Sequence, residues 1–493
     1  MIEKSKYNKF LTALVFILSL IPLFMLLDSW SVRKWDEVRN IVQAIEMYYN
    51  HNWLVPTFQV EPDMWNTKPP LLIWIQVFLF TLFKPSLFLA RLPSALSGFL
   101  IFVVIYLFFK KYFKQPIIGL LAILFLISSP AIIRYHVTRT ADYDALLTLL
   151  MLCYVLFFYL YYKTKANKYL YLFFLSLTLA SLTKGIAALF FLPSIFIFCL
   201  MNSTILAILK NKAFYIGLCF FVFFAFGYYL LREQINEGYL KAIWNNELFG
   251  RFAVINEGHN GGFLYYAYYF VNNYFKSFYL FFIVSIPVLL SIKDKIEQKF
   301  YQYIILNIFM FFIIISISKT KIEWYDAPMY PLIAICCAAC LSILLNKLNV
   351  LINIKGLSIG IVLAIFLIPY VNFNTSIFKT VKEQTDDYEQ LNGYFLHKHY
   401  KKDAQYLNNI YIENLVHEYN ADAYFYQYYL QHEKQIKINL FSHNDTSMVK
   451  ENRKIATANE ATKKYIEENY TYKAIDSLAQ IKVYLIGNKI INK

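Results

Sequence analysis

The sequence predicts an all-α membrane domain that crosses a bilayer many times, followed by a small α/β domain. Three observations support this fold class. Of the 493 residues, 58% are hydrophobic and only 16% are charged, a composition typical of an integral membrane protein. Apolar runs of roughly the 20 residues needed to cross a bilayer recur between residues 9 and 373. The sequence then becomes polar and charged after about residue 374, which predicts a domain boundary.

About eleven apolar runs are candidate membrane spans. They lie near residues 9–28, 93–110, 117–135, 143–162, 169–183, 186–201, 213–231, 274–292, 300–318, 329–346 and 352–373. The first run lacks a small-residue cleavage site, so we expect an uncleaved span rather than a signal peptide. A further run at residues 71–84 is ambiguous by hydropathy. Leaving it outside the membrane puts the basic tracts on one side of the bilayer, as the positive-inside rule requires.

The predicted topology follows from this choice. We expect the amino terminus in the cytoplasm, residues 1–373 in the cytoplasmic (inner) membrane, and residues 374–493 outside it. The carboxyl-terminal part contains three strand-like segments, NNIYIENLV, KQIKINLF and IKVYLIGN, and one helix-like segment, VHEYNADAYFYQYYLQ. It carries no Gly-rich phosphate loop and no nucleophile elbow, so we expect it to gate substrate or to dock a partner at most.

The charge and the cysteine positions argue against a nucleic-acid-binding protein, a disulfide-rich protein and a cysteine metal cluster. The net charge is +15, but basic residues of a membrane protein serve topology first, and no nucleic-acid motif accompanies them. All six cysteines lie in apolar runs. This position is typical of small core residues and predicts neither a disulfide framework nor a metal cluster.

One polar segment, residues 35–70, follows the first span. Its residues 36–50 repeat apolar side chains at helical spacing but are too few and too polar to span, so we expect an amphipathic helix on the membrane surface. Asp36 and Glu37 open this helix. Asp36 is either a helix cap, favoured by the exposed amides and the helix dipole, or a catalytic acid. Lys68, before two prolines, is either a snorkelling interfacial lysine or a ligand for an anion.

The other polar clusters of the membrane domain fall on the same predicted side. They are Arg91 in the first outer loop, Arg139, Asp142 and Asp144 in the second, Lys184 in the third, Glu247, Arg251 and His259 in the fourth, and Lys319, Lys321 and Tyr325 in the fifth. Each has an explanation without function: a salt-bridged cap in the second loop, a lysine at a helix end, an i,i+4 pair of Glu247 with Arg251, or an ordinary loop residue. Charges at the membrane edge are nevertheless costly and usually functional. Lysines and arginines that meet there would form a phosphate site, and a carboxylate beside them could activate a hydroxyl.

Several motifs occur in a characteristic order over roughly residues 30–340. They are an acidic pair after the first span, Lys-Pro-Pro, RLPSAL, TRTADYDALL, LTKG and KTKIEWY. As an ordered set they resemble the GT-C glycosyltransferases of the ArnT and protein O-mannosyltransferase group. The resemblance implies a GT-C fold with about eleven transmembrane helices and surface-lying helices in the first outer loop. It also implies inverting transfer of a sugar from a polyprenyl-phosphate-linked donor to an acceptor outside the cytoplasmic membrane, such as lipid A or lipopolysaccharide, another glycan or a protein.

The resemblance further implies roles for single residues. Asp36 matches the first-loop catalytic acid, and Glu37 its acidic neighbour. Asp144 matches the second-loop acid best, with Asp142 as the alternative. The residues that match donor-phosphate ligands are Lys68, Arg251, Lys319, Lys321 and Tyr325. Further site candidates are Arg91, Arg139, Lys184, Glu247 and His259.

The chain departs from this group at two positions. ArnT-type members carry an acidic residue just before the first-loop lysine, where this chain has Thr67. No cofactor is therefore predicted, and a divalent metal stays an alternative that the sequence does not support. Asp326 stands where an apolar residue is more usual, which leaves the polarity of the pocket open.

Two other function classes share part of this pattern. A transporter or lipid flippase also has many spans with buried charge, but its sites usually lie near the midplane between two related halves, and no internal repeat is evident here. A polysaccharide ligase or polymerase also uses lipid-linked donors and long outer loops. The early acidic pair with Lys-Pro-Pro favours the GT-C interpretation over both.

Overall fold

The structure is a computed structural model of the chain. It describes residues 2–252, 254–255, 258–352, 356–382, 388–415 and 420–490. For residues 2–8, 248, 251, 349, 351–352 and 380–382 the description covers the backbone only.

Most of the chain is helical. The helices before the carboxyl-terminal part are α1 (Ile2–Phe24), α2 (Asp36–Asn50), α3 (Leu71–Phe83), α4 (Leu87–Phe108), α5 (Pro116–Ile127), α6 (Tyr143–Thr164), α7 (Asn167–Lys184), α8 (Leu192–Met201), α9 (Ile205–Leu209), α10 (Lys212–Phe221), α11 (Gly227–Ile235), α12 (Tyr239–Ile243), α13 (Gly250–Phe252), α14 (Tyr265–Tyr269), α15 (Tyr279–Leu290), α16 (Lys295–Ile317), α17 (Tyr330–Ile352) and α18 (Leu357–Lys382). A short hairpin of β1 (Thr57–Phe58) and β2 (Glu61–Pro62) lies between α2 and α3.

Within the described residues, seven helical stretches are long and apolar enough to cross a membrane. They are Leu87–Phe113, Tyr143–Thr164, Asn167–Leu189, Lys212–Ile235, Lys295–Ile317, Glu323–Leu348 and Leu357–Lys379. The pair Tyr265–Tyr274 and Tyr279–Leu290, bent by 113°, would make an eighth span. The chain is thus a multi-pass membrane protein.

The predicted count of about eleven spans is not confirmed. The three remaining predicted spans correspond to shorter apolar helices, Lys9–Phe24, Pro116–Ile127 and Leu192–Met201. The ambiguous run at 71–84 forms α3, whose 13 residues are too few to cross a bilayer core, which needs about 20.

The carboxyl-terminal part forms an α/β unit around a five-stranded sheet. Its elements are α19 (Leu391–Asp403), β3 (Ile410–Glu413), α20 (Ala421–Lys434), β4 (Ile438–Phe441), β5 (Lys454–Thr457), α21 (Glu460–Asn469), β6 (Tyr470–Leu478) and β7 (Ile481–Lys489). The strand order is β4-β3-β5-β7-β6. Strand β3 runs parallel to both its neighbours, and β7 pairs antiparallel with β5 and β6.

The structure contains the three strands expected from the sequence, as β3, β4 and β7, and adds β5 and β6. Most residues of β6 are exposed, so this strand lacks the apolar alternation that identifies a half-buried strand. The predicted helix at 416–431 corresponds to α20, and its first part, residues 416–419, lies outside the described residues. Helix α18 continues to Lys382, so the change of composition at residue 374 falls within its last turns.

Helix α2 has the predicted bounds, but it does not lie on an open surface as expected. Ten of its 15 residues are buried, among them the polar Glu37, Asn40, Gln43 and Glu46. Its apolar side shares one core with α3 and with α19 and α20 of the carboxyl-terminal unit. Its polar side binds side chains and backbone groups of the outer loops. Both faces of α2 therefore have protein partners, and its position at the membrane surface stays a prediction.

Candidate active site

Asp36, His136 and Asp142 form a compact group of titratable side chains at the start of α2. The Nδ1 atom of His136 lies 3.9 Å from Oδ2 of Asp36 and 3.5 Å from Oδ2 of Asp142. Asp36 is half exposed and Asp142 is buried. The N-cap position of α2 belongs to Trp35, which makes no capping hydrogen bond through its side chain. Asp36 is therefore the first residue of the helix rather than its N-cap.

The second outer loop holds His136 in place. Its backbone N–H donates to Oγ1 of Thr140 over 2.7 Å, and that hydroxyl donates to Oδ2 of Asp142 over 2.6 Å. The imidazole stacks on the Trp324 indole, with 3.6 Å between ring centroids. Burial alone would lower the pKa of His136, but the carboxylate of Asp142, with a smaller effect of Asp36, raises it above its ordinary value. The imidazole therefore favours its protonated form more than a free histidine does.

Glu37, predicted as a second acid of the site, is instead a buried ion-pair partner. Its two carboxylate oxygens accept hydrogen bonds from Nε and Nη2 of Arg91 at 2.7 and 2.9 Å, and both side chains are fully buried. The same carboxylate accepts from the backbone N–H groups of Arg33 and Ala141. Burial would raise the pKa of Glu37, but Arg91 keeps it below its ordinary value. Glu37 and Arg91 thus hold the start of α2 against the loop that carries Asp142.

Asp144 and Lys184 form a second buried pair, separate from the Asp36 group. Nζ of Lys184 lies 2.7 Å from both carboxylate oxygens of Asp144 and 4.8 Å from the centre of the Tyr325 ring. The resemblance placed Asp144 before Asp142 as the second-loop acid. In the structure Asp142 reaches the His136 imidazole beside Asp36, whereas both oxygens of Asp144 bind Lys184.

Lys68 lies at the end of a chain of hydrogen-bonded side chains that starts at Asp142. Nδ2 of Asn40 donates to Oδ1 of Asp142 at 3.4 Å, and Nδ2 of Asn66 donates to Oδ1 of Asn40 at 3.0 Å. Nζ of Lys68 donates to Oδ1 of Asn66 at 3.2 Å and lies 3.6 Å from Oε1 of Glu247. We call Asn40 and Asn66 the amide bridge. Glu247 therefore pairs with Lys68 in the first loop.

The amide bridge was not predicted from the sequence. Both of its residues are neutral amides, which carry no charge pattern that would mark them as site residues. The polar residues Glu37, Asn40, Gln43 and Glu46 recur every three positions along α2, and this spacing on one helical face was a signal for a polar contact surface. The partners of that surface come from distant segments, so the sequence alone does not identify them.

Side chains of the fourth outer region bind backbone carbonyls of the first loop. Nη2 of Arg232 donates to the carbonyl of Asp63 at 2.7 Å, and the Tyr239 hydroxyl donates to the carbonyl of Thr67 at 2.7 Å. The Asp63 side chain in turn accepts from Nε2 of Gln43 at 2.7 Å. These contacts fix the backbone on either side of the amide bridge and so the position of Lys68.

Two cavities flank the amide bridge. The apolar cavity, of about 380 Å³, is lined by Thr67, Lys68, Pro69, Ser181, Lys184, Gly185, Ile186, Leu189, Phe221, Ala225, Phe226, Tyr229, Leu230, Leu240, Ile243 and Glu247. The polar cavity, of about 480 Å³, is lined by Arg33, Lys34, Trp35, Arg134, Tyr135, His136, Thr140, Asn273, Tyr274, Glu323, Trp324 and Gln390. Lys68 belongs to the first and His136 to the second, so the chain of polar side chains connects the two cavities.

Two predicted site cations serve helix ends instead. Nζ of Lys321 is buried and donates to the carbonyls of Ile315, Ser316 and Ser318 at the end of α16. The Arg139 guanidinium donates to the carbonyls of Pro22 and Leu23 near the end of α1. Such contacts satisfy carbonyls that lack a partner within the helix. The expected pairing of Arg139 with Asp142 or Asp144 is not present among the described contacts.

The remaining candidates contribute less to this geometry. Lys319 and His259 are exposed, and the carbonyl of His259 accepts from the backbone N–H of Lys321. Arg251 lies in α13, and its side chain is outside the described residues. Asp326, the second departure from the family pattern, is buried and pairs with Arg134 at 2.5 Å. The polarity that Asp326 introduces is thus neutralised inside the protein.

The Asp36 group has the composition of a cation site. One ligand atom from each of Asp36, His136 and Asp142 lies within 4.8 Å of the other two. Two carboxylates and an imidazole suit a divalent ion such as Zn²⁺ or Mn²⁺. The sequence did not support a metal because of Thr67, whereas these three residues come from a different part of the first loop and from the second loop. The residues present therefore fit a divalent cation.

Comparisons with known proteins agree with this architecture. The family model described as dolichyl-phosphate-mannose-protein mannosyltransferase matches residues 67–229. The crystal structure of ArnT from Cupriavidus metallidurans bound to undecaprenyl phosphate superposes with a TM-score of 0.71 at 14% identity, covering 97% of this chain and 98% of that one. The chain has an ArnT-like GT-C fold. The apo state of the same ArnT gives a TM-score of 0.67 with 98% of both chains covered, also at 14% identity.

A second GT-C structure is similar over a smaller part. The archaeal oligosaccharyltransferase AglB from Archaeoglobus fulgidus, in complex with an inhibitory peptide and a dolichol-phosphate, matches with a TM-score of 0.54 and 12% identity. The match covers 88% of this chain and 64% of that one. No curated protein matches the sequence. The GT-C resemblance inferred from the ordered motifs is confirmed at the level of the fold.

Proposed function

We propose that the protein is a membrane glycosyltransferase that moves a sugar from a polyprenyl-phosphate-linked donor to an acceptor by inverting displacement. The observation that carries this proposal is the chain of polar side chains from Lys68 through the amide bridge to Asp142. It places a cation at the edge of an apolar cavity and a carboxylate group at the edge of a polar one. A lipid-linked donor and a water-soluble or headgroup acceptor need such a pair of compartments.

The apolar cavity fits the lipid-phosphate donor. Its walls are mainly aliphatic and aromatic, while the ammonium groups of Lys68 and Lys184 lie at its polar end. A phosphate there would gain charge-assisted hydrogen bonds, and the isoprenoid chain would pack on the apolar walls. The undecaprenyl phosphate bound to the structurally similar ArnT supports this assignment. We retain Lys319, Tyr325 and Arg251 as candidates for further donor contacts.

The chemistry then needs one base and one stabilised leaving group. An acceptor oxygen attacks the anomeric carbon, the bond from that carbon to the lipid-phosphate oxygen breaks, and the acceptor proton passes to the carboxylate of Asp36. Lys68 offsets the negative charge that grows on the departing phosphate. Asp142 and His136 keep the Asp36 carboxylate in position, because His136 lies between the two acids. If a divalent cation is bound by these three residues, it would supply Lewis-acid polarisation of the acceptor oxygen.

The sidedness of the structure supports the proposed topology. The turns rich in lysine contact each other at one end of the bundle, for example Lys299 with Tyr162 at 3.2 Å and Gln115 with Glu297 at 2.6 Å. We assign this end to the cytoplasm. The active site and residues 374–493 would then face outward from the inner membrane, and a cytoplasm-active reporter fused after Lys493 should give no signal.

Transfer from a defined donor tests the proposed activity directly. Purified protein in lipid nanodiscs would receive a panel of radiolabelled undecaprenyl-phosphate sugars together with lipid, glycan and protein fractions from the source cells. We expect label to appear on one acceptor class with inverted anomeric configuration. Movement of intact donor across the bilayer of sealed vesicles without transfer would instead support a flippase. Incorporation of preassembled glycan chains would support a ligase or polymerase.

A further inference from the structure

We propose that the lysine-rich end of the bundle binds the phosphate of an acidic phospholipid between Lys165 and Lys299, beside Tyr162. This site lies outside the apolar and the polar cavity, and its occupant is a lipid of the bilayer rather than a substrate. The inference therefore goes beyond the proposed reaction and does not depend on it.

The first observation is the excess of positive charge at this end. Four turns contain eleven lysines but only two acids: residues 109–115, 163–168, 210–212 and 293–299. The turns contact one another, since Nζ of Lys163 donates to the carbonyl of Tyr112 at 3.4 Å and Nδ2 of Asn211 donates to the Tyr161 hydroxyl at 3.1 Å. Lysines gathered in this way attract anions from the membrane surface.

The two acids of these turns are bound to uncharged groups. Oδ1 of Asp294 caps α16, because it accepts from the backbone N–H groups of Ile296 and Glu297 at 2.8 and 2.9 Å. Oε1 of Glu297 accepts from Nε2 of Gln115 at 2.6 Å. In the described part of the chain, the lysines that form ion pairs all lie in other segments. The positive charge of this end is thus not neutralised by protein carboxylates within the described residues.

The second observation is that two of these lysines converge on one aromatic ring. Nζ of Lys299 donates to the Tyr162 hydroxyl at 3.2 Å, and Nζ of Lys165 lies 4.9 Å from the centre of the Tyr162 ring. The same hydroxyl donates to Oδ1 of Asn202 at 3.1 Å, just after the end of α8. Tyr162 lies near the end of one candidate span and Lys299 near the start of another. An interfacial tyrosine thus holds both ammonium groups at the level where lipid headgroups lie.

A phosphodiester suits this pair of cations. It carries one negative charge shared by two non-bridging oxygens, so each lysine can donate a charge-assisted hydrogen bond to one of them. A zwitterionic headgroup suits the site less well, because its own ammonium group would face the surrounding lysines.

The neighbouring apolar surface favours a lipid over free phosphate. Leu200 and Met201 directly precede Asn202, and Ile296 precedes Lys299 by one helical turn. All three side chains are exposed. They offer an apolar surface to acyl chains, whereas inorganic phosphate gains nothing from such contacts.

Lipid binding to the full-length protein in detergent micelles tests the inference. Native mass spectrometry would measure the affinity for phosphatidylglycerol and for phosphatidylcholine, with inorganic phosphate as competitor. The variants are Lys165→Gln and Lys299→Gln, with Lys165→Arg to retain the charge. Lys110→Gln is the matched control, because Lys110 is an exposed lysine of the same end that lies 5.3 Å from the centre of a different tyrosine ring, Tyr106.

We expect wild type to bind phosphatidylglycerol more tightly than phosphatidylcholine. Lys165→Gln and Lys299→Gln should each weaken phosphatidylglycerol binding roughly fivefold, as expected for the loss of one lysine near an anionic headgroup. Lys165→Arg and Lys110→Gln should bind as wild type does. Added salt should weaken the binding, since the charges are exposed to solvent.

Three results would overturn the inference. Equal affinity for the two lipids would show that the headgroup charge is not recognised. An equal loss in Lys110→Gln would mean that the whole basic surface, rather than the pair at Tyr162, attracts the lipid. Displacement of phosphatidylglycerol by inorganic phosphate at similar concentration would assign the site to a free anion. Circular dichroism and gel filtration of every variant distinguish a lost contact from a lost fold.

Discussion

The two cavities beside the amide bridge differ in how they treat positive charge. In the apolar cavity each lysine has a carboxylate nearby, Lys184 with Asp144 at 2.7 Å and Lys68 with Glu247 at 3.6 Å. In the polar cavity Lys34 and Arg134 are paired with Glu389 and Asp326. Arg33 instead contacts the Tyr135 hydroxyl and the rings of Tyr135 and Trp30. A cation within a membrane is expensive without a partner, whereas one that faces a wetter cavity can await an anionic ligand. Four of these five cations therefore have a carboxylate partner, and aromatic groups hold the fifth, Arg33.

Replacing Asp36, the proposed base, should have the largest effect on the transfer rate. It tests whether the Asp36 group carries out the chemistry. Asp36→Asn removes the proton acceptor with little change of shape, and general-base loss typically costs on the order of 10²–10⁴ in rate. Its charge near a helix start accounts for less than about 1 kcal/mol of stability. Transfer rate and melting temperature would be measured together. Asp28→Asn is the matched control, because Asp28 is a surface acid paired with Lys401. Near-normal transfer by folded Asp36→Asn would return Asp36 to a structural role.

Replacing the two acids of the second loop should affect different properties: the stability for Asp144 and the transfer rate for Asp142. Asp144→Asn leaves the buried ammonium of Lys184 without its carboxylate, and breaking a buried pair typically costs about 3–5 kcal/mol of stability. Asp142→Asn should lower the transfer rate with a smaller loss of melting temperature. The double variant Asp144→Asn with Lys184→Met should recover part of the stability. A catalytic defect without destabilisation in Asp144→Asn would restore Asp144 as the second-loop acid of the site.

A variant of Lys68 tests whether the apolar cavity binds the lipid-phosphate donor. Lys68→Gln removes one charge-assisted hydrogen bond, worth about 1.5–3 kcal/mol, so undecaprenyl phosphate affinity should fall by roughly ten- to a hundredfold. The melting temperature should change little, because a glutamine can still donate a hydrogen bond to Asn66. Titration calorimetry in nanodiscs measures the affinity and scanning calorimetry the melting temperature. Unchanged affinity in the folded variant would remove Lys68 from the donor site.

The smallest effect concerns a buried histidine of the carboxyl-terminal unit, outside both cavities. His397 of α19 contacts the Tyr426 hydroxyl at 3.0 Å. Burial, with Arg91 and Lys401 nearby, lowers the pKa of His397 from 6.5 to about 3. As pH falls below 6.5, the unfolded chain takes up a proton that the folded chain refuses, so stability present above this pH is lost toward pH 3.

His397→Gln should therefore flatten the decline of melting temperature between pH 7 and pH 5, as scanning calorimetry can measure. His432→Gln serves as the control, since His432 is an exposed histidine of α20. The same slope in both variants and wild type would show that burial of His397 does not contribute to the pH dependence of stability.

The sequence by itself determined the class of the protein and the position of its main elements. Hydropathy is a local property, so the apolar runs identified the long spans, and helical periodicity predicted α2 over its full length. The ordered motifs predicted a GT-C fold, which the superposition on ArnT confirms. Asp36 and Lys68, the residues on which the proposed mechanism depends, were also candidates from the sequence.

Only the tertiary structure decided which charges are available to a ligand. Glu37 and Asp144 are chemically as suitable as the acids kept in the proposal, but each is already bound by a partner from a distant segment, and the ammonium of Lys321 is bound by carbonyls at the adjacent end of α16. Asn40 and Asn66 connect the cavities although neither carries a charge. Contacts between residues tens of positions apart depend on how the helices pack, and no local pattern encodes them. The same packing covers the polar face of α2 and places this helix at the centre of the candidate site.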